Sequence, residues 1–172
     1  TDYVLMVLVA VISLLILRVA TATVPLVQQS LYFTLPERSL LYALPITIGV
    51  MLIRMLLSIE SALIYAIPMA VFSAFFAETG LRFVVFALIS NFAAVIAINR
   101  VDRRTAIIRA GAVVGLVNVI SVLAISFLNV SSISGQLYFS SISAYCLLAF
   151  MGGVSAALVS MIILPMVESV SG

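Results

Sequence analysis

The residues that could carry acid–base or metal chemistry are few in this chain and lie far apart. The 172 residues include no histidine, one cysteine and six carboxylates. The carboxylates are scattered among separate turns: Asp2, Glu37, Glu60, Glu78, Asp102 and Glu168. General acid–base catalysis needs paired or positioned groups, and zinc sites need histidine or cysteine ligands. We therefore expect no catalytic, metal-binding or cofactor-binding residue in this chain.

Polar residues within or beside apolar runs are the remaining candidates for a functional or signalling role. They are Arg54, Glu60, Asn91, Arg109, Asn118 and Glu168. An amide in a bilayer is costly unless it is paired, so we expect Asn91 and Asn118 to form interhelical hydrogen bonds, with a ligand contact as the alternative. Arg54 and Glu60 flank a tight turn. We expect them either to form an ion pair that holds this turn or to contact a cytoplasmic domain. Arg18 either extends to the headgroup region or faces a protein partner.

Composition places the chain in a membrane. Sixty-five per cent of the residues are hydrophobic and 8% are charged, whereas soluble domains carry about 25% charged residues. The net charge of +2 leaves no basic face for nucleic acid. The sequence predicts an all-α, polytopic transmembrane helix bundle whose main partner is the lipid bilayer.

Six apolar runs predict six membrane-spanning helices in a single transmembrane domain over residues 1–172. Their expected bounds are about 3–33, 39–57, 59–78, 81–98, 105–128 and 138–167. Pro25 should kink the first run or end its straight part, and Pro45 and Pro68 should kink the second and third. It stays open whether the first run is one span or a span followed by an interfacial helix.

The orientation follows from the one dense cluster of charge, which lies between the fourth and fifth runs. Arg100, Arg103 and Arg104 occur there within five residues. Arginine-rich short loops mark the cytoplasmic side of a membrane. Because six crossings return the chain to the side on which it started, we expect both ends to be cytoplasmic.

Glycines on the fifth and sixth helices have the spacing of a close helix contact. Gly111 and Gly115 lie on the fifth helix, and Gly152 and Gly153 lie on the sixth. Small residues let the backbones of membrane helices approach closely. The pattern favours tight helix packing, with a substrate path lined by these glycines as the alternative.

Three motifs resemble the membrane domain of the seven-transmembrane HD-hydrolase receptor family. The first is the run Arg104–Asn118, RTAIIRAGAVVGLVN. The second begins at Gly152-Gly153 and ends with a Leu-Pro-x-x-Glu exit at Glu168. The third is a Leu-Pro helix entry at Tyr42–Pro45. The resemblance covers roughly residues 40 to 170, and the order of the motifs carries more weight than any single one.

The resemblance implies a receptor in a bacterial cytoplasmic membrane. Members of this family have an extracellular domain, a transmembrane bundle and a cytoplasmic HD phosphohydrolase that hydrolyses cyclic di-AMP with metals held by the HD domain. We expect these 172 residues to contain neither flanking domain and to start one helix inside the bundle. The implied role is to anchor the enzyme and transmit a signal. Shifts at the glycine contacts would pass along the sixth helix through Pro165 and Glu168.

Two other functions stay open at this point. A small solute-binding membrane protein, such as the substrate-capture subunit of a transporter, would place Asn91, Asn118 and Tyr65 around a cavity within the membrane. A passive scaffold would form a homo-oligomer through its small-residue faces.

Overall fold

The computed structural model describes residues 2–30, 39–78, 80–98, 104–127 and 135–171. Within these ranges the chain is helical and contains no strand, which confirms the all-α prediction. The helices are α1 (Asp2–Ser30), α2 (Ile48–Leu56), α3 (Ile59–Phe76), α4 (Leu81–Ala97), α5 (Arg104–Phe127) and α6 (Gly135–Ser171). A 3₁₀ turn, Ser39–Ala43, precedes α2.

Five segments are long and apolar enough to cross a membrane: α1, the segment Ser39–Leu56, α3, α5 and α6. Helix α4 is also apolar but has 17 residues. At 1.5 Å per residue it is about 26 Å long, slightly less than the hydrocarbon thickness. The chain is therefore a multi-pass membrane protein, and a sixth crossing by α4 stays a prediction.

The second predicted helix, 39–57, is wrong as a continuous element. Helical structure stops after Ala43 and resumes at Ile48, so the segment consists of the 3₁₀ turn, a break at Leu44–Thr47 and α2. Pro45 lies within the break. It has no N–H to donate and keeps Leu44 out of the helical region. The expected kink is thus a four-residue interruption.

The prolines of the longer helices have no such effect. Helix α1 continues through Pro25 to Ser30, and α6 continues through Pro165 to Ser171. Helix α1 runs five residues past its proline and α6 runs six, since transmembrane helices tolerate a proline where other groups can satisfy the freed carbonyl. Residues 31–33 of the first predicted helix lie outside the described residues.

Helices α3 and α4 begin at the predicted residues, and the remaining boundaries differ from the predicted ones by one to four residues. Helix α3 ends at Phe76 because Glu78 takes a positive φ of 51°, which no right-handed helix can contain. Helix α6 begins at Gly135, three residues before the predicted start, and ends four residues after the predicted end. The basic loop at residues 99–103 lies outside the described residues.

The buried side chains form two clusters. One includes Val9 of α1, the α2 residues, Ile98, and Val167 near the end of α6. The other includes Leu17 of α1 and buried residues from the 3₁₀ turn, the end of α3 and the start of α4. The first turns of α1 and the last turns of α6 thus pack into the same cluster.

Helix α2 lies at the centre of the bundle. All six residues from Ile48 to Ile53 are buried, and α2 contacts α1, α3, α4 and α6. A helix that is apolar on every side is expected in such a position.

Candidate functional site

The glycines of α5 and α6 bring the backbones of these two helices into contact. A Cβ built on Gly153 would lie 2.7 Å from the Cα of Gly115 and 3.0 Å from the carbonyl oxygen of Gly111. A Cβ on Gly115 would lie 2.9 Å from the carbonyl oxygen of Phe150. The obstructing atoms are backbone at Gly153, and at Gly115 they are the ring and the carbonyl oxygen of Phe150, so a side chain at either position requires a neighbour to move. We call Gly111, Gly115 and Gly153 the α5–α6 glycine contact.

The neighbouring glycine of α6 has a different partner. A Cβ on Gly152 would lie 2.5 Å from the carbonyl oxygen of Tyr42 and 3.3 Å from the Cα of Ala43. Gly152 therefore packs against the 3₁₀ turn, whereas Gly153 packs against α5. Two adjacent residues of α6 thus bind this helix to two different elements.

Helix α6 also contacts the other side of the break in the second segment. The Oγ of Ser160 donates a hydrogen bond of 2.7 Å to the carbonyl of Ala156 and lies 3.4 Å from the carbonyl oxygen of Ile48. Ile48 begins α2. Gly152 and Ser160 are eight residues apart, about 12 Å along the helix. One face of α6 therefore touches the backbone both before and after the break.

The break places the start of α2 inside the bundle. Thr47, the residue before α2, is 1% exposed, and its side chain does not cap the helix. Within the described part of the chain, neither the Oγ1 of Thr47 nor the Oγ of Ser39 has a hydrogen-bond partner. Interrupted transmembrane helices form the substrate and ion sites of many transporters.

The two membrane asparagines each join a pair of helices. The Nδ2 of Asn91 donates to the carbonyl of Ala66 at 3.0 Å, between α4 and α3. The Nδ2 of Asn118 donates to the carbonyl of Ala149 at 3.3 Å, between α5 and α6. Both Oδ1 atoms lack a partner among the described residues. The amides act here as interhelical donors, as interpreted from the sequence.

A third polar contact joins α1 and α3 over a glycine of α2. The hydroxyls of Ser13 and Tyr65 form a hydrogen bond of 2.7 Å, and a Cβ on Gly49 would lie 2.8 Å from the Oγ of Ser13. The hydrogen bond of Tyr65 joins α1 and α3, whereas those of Asn91 and Asn118 join α3 to α4 and α5 to α6. The sequence analysis did not single out Gly49, although it is the one glycine in the run 39–57.

The charged candidates do not assemble into one site. The Nε of Arg54 donates to the carbonyl of Val95 at 3.4 Å, linking the ends of α2 and α4. Glu60 is exposed in the first turn of α3, and no ion pair joins it to Arg54 in the part of the chain that the structure describes. Arg109 lies on the exposed face of α5. The side chain of Glu168 lies outside the described residues.

Comparison with known protein families gives a match over the whole chain. The model of the family described as "7TM receptor with intracellular HD hydrolase" matches residues 1–172, the whole chain. This match confirms the resemblance drawn from the three sequence motifs. No curated protein and no solved structure matched the chain.

Proposed function

This chain belongs to the family of 7TM receptors with an intracellular HD hydrolase, and on that premise we propose that it anchors a cytoplasmic HD phosphohydrolase and passes a signal to it. The chain crosses a bacterial cytoplasmic membrane six times, with both ends in the cytoplasm. An extracellular domain and the HD domain are its partners in the parent protein. Since the chain has no histidine, the metal ions of the reaction are held by the HD domain alone.

The position of α6 is the observation that supports this proposal. It contacts α5 at Gly153, the 3₁₀ turn at Gly152 and the first turn of α2 at Ser160. These contacts involve backbone atoms, so α6 cannot slide or rotate without moving the backbone around the break. Signal transmission needs an element with two packing arrangements, each favoured by different contacts. We propose that the break and α6 together form that element.

The proposed reaction is the hydrolysis of a cyclic dinucleotide, specifically cyclic di-AMP. The test uses the purified full-length protein in detergent or proteoliposomes with Mn²⁺ or Mg²⁺. We expect cyclic di-AMP to be opened to a linear dinucleotide, and we expect a chelator to abolish the reaction. Separation of the products by chromatography measures both. Folded, metal-loaded protein that hydrolyses no cyclic dinucleotide would overturn the assignment of the reaction.

A further inference from the structure

A cleft of about 380 Å³ lies where α1 passes the 3₁₀ turn and the end of α3. Its lining combines polar and apolar side chains, including Arg18, Thr21, Gln28, Glu78, Pro25 and Phe76. None of these residues belongs to the glycine contact or the break. The cleft is therefore a separate feature of the bundle and does not depend on the function proposed above.

The cleft contains one positive and one negative charge that are not paired with each other. The guanidinium carbon of Arg18 lies 5.8 Å from the centroid of the Phe76 ring. Such stacking leaves the N–H groups at the guanidinium edge available for an anion. Among the residues that the structure describes, no ion pair joins Arg18 to Glu78. Both side chains are exposed, so a ligand that carries an anionic and a cationic group can reach both and form charge-assisted hydrogen bonds with them.

The position of the cleft indicates where such a ligand comes from. Glu78 follows the end of α3, at the turn toward α4, which is where a transmembrane helix meets the headgroup layer. Beside the cleft, Val19 and Leu26 of α1 are both exposed by more than 60%. Exposed apolar side chains on a membrane helix face lipid. The cleft thus opens sideways toward the lipid at headgroup depth.

We propose that this cleft binds the headgroup of a phospholipid that carries both a phosphodiester and a primary ammonium group. Arg18 holds the phosphodiester, for which the planar guanidinium supplies two parallel donors. Glu78 accepts hydrogen bonds from the ammonium group. The Gln28 amide and the Thr21 hydroxyl, which already donates to the carbonyl of Arg18 at 2.9 Å, offer further polar atoms. A bound lipid would hold α1 against the end of α3.

The test is native mass spectrometry of the purified full-length protein with added lipids. We expect phosphatidylethanolamine to bind about tenfold more tightly than phosphatidylglycerol, which has no ammonium group, or phosphatidylcholine, whose ammonium cannot donate. Arg18→Gln should weaken phosphatidylethanolamine binding about tenfold, while Arg18→Lys should retain part of it. Glu78→Gln should abolish the preference among the three lipids. Arg82→Gln is the matched control, because Arg82 is exposed near the same end of α3 but does not line the cleft.

Four results would overturn the proposal. Arg18→Gln could bind phosphatidylethanolamine as the unmodified protein does, or Arg82→Gln could lose binding equally, which would indicate nonspecific electrostatic attraction. Soluble glycerophosphoethanolamine could compete at equal concentration, which would identify a soluble ligand instead of a lipid. If circular dichroism shows that Arg18→Gln does not fold, the lipid preference of Glu78→Gln is the test instead. An unchanged preference in that variant would refute the proposed headgroup site.

Discussion

The backbones of Gly115 and Gly153 touch, so that a Cβ on Gly153 would lie 2.7 Å from the Cα of Gly115. Non-bonded carbon atoms in proteins pack at about 3.5–4.0 Å. Any side chain at either position must therefore push α5 and α6 apart. The contact between α5 and α6 is also the most extensive helix contact in the bundle. A side chain added at either glycine should therefore disturb packing along both helices.

Gly153→Ala should lower the free energy of unfolding by about 1–3 kcal/mol, because the added methyl group meets backbone atoms that cannot rotate away. Unfolding in mixed micelles of a mild detergent and dodecyl sulfate, followed by circular dichroism, measures this change. Gly80→Ala is the control, since a Cβ there has no heavy atom within 4 Å. Equal stability of the two variants would show that the α5–α6 glycine contact is not tight.

The hydrogen bond between Ser13 and Tyr65 should contribute a coupling energy of about 0.6 to 1.7 kcal/mol, as measured for polar contacts between membrane helices. A double-mutant cycle with Ser13→Ala and Tyr65→Phe isolates this energy from the packing of the ring. Both variants remove only a hydroxyl, so the fold should persist. Additive effects of the two substitutions would argue against a direct bond between α1 and α3.

Pro45→Ala should let the 3₁₀ turn and α2 join into one helix. The substitution supplies the missing N–H donor and frees Leu44 to become helical. We expect backbone amides at positions 46–48 to exchange with deuterium about tenfold more slowly, the effect of about one added hydrogen bond. Pro68→Ala is the matched control because Pro68 already lies within continuous helix. Unchanged exchange at positions 46–48 would mean that packing by α6, and not Pro45, maintains the break.

The proposed orientation makes opposite predictions for the two ends of α3. In a Cys146→Ala background, a cysteine at Ser58 should react with a membrane-impermeant maleimide only after the cells are opened. A cysteine at Gly80 should react in intact cells. Both positions are exposed and lie just before α3 and just before α4. The reverse labelling pattern would place the ends of the chain outside the cell.

The sequence predicted the helices well because apolar runs and the turns between them are local properties. It predicted close packing at Gly111 and Gly115, which are four residues apart on α5, and at Gly152 and Gly153, which belong to a run of small residues on α6. It could not show that Gly152 packs against the 3₁₀ turn, since adjacent glycines give no signal for separate partners.

Other features depend on the tertiary structure alone. Pro45 indicated a kink, but a proline in an apolar run does not give the length of the break, which spans four residues in the structure. Ser13 and Tyr65 are isolated polar residues in apolar helices, and no spacing pattern connects residues 52 positions apart. Arg18 was ambiguous in the sequence. The cleft that contains it forms only when α1 meets the end of α3.

The most direct test of the central claim is the rate of cyclic di-AMP hydrolysis by full-length protein carrying Gly115→Leu or Gly152→Leu, with Gly80→Leu as the control. The first two substitutions force α6 away from α5 or from the 3₁₀ turn, whereas the third projects into open space. If α6 controls the enzyme, the rate in proteoliposomes should change about fivefold or more for the first two variants and stay unchanged for the third. Unchanged rates for Gly115→Leu and Gly152→Leu, in protein shown to be folded and inserted, would contradict signal transmission through α6.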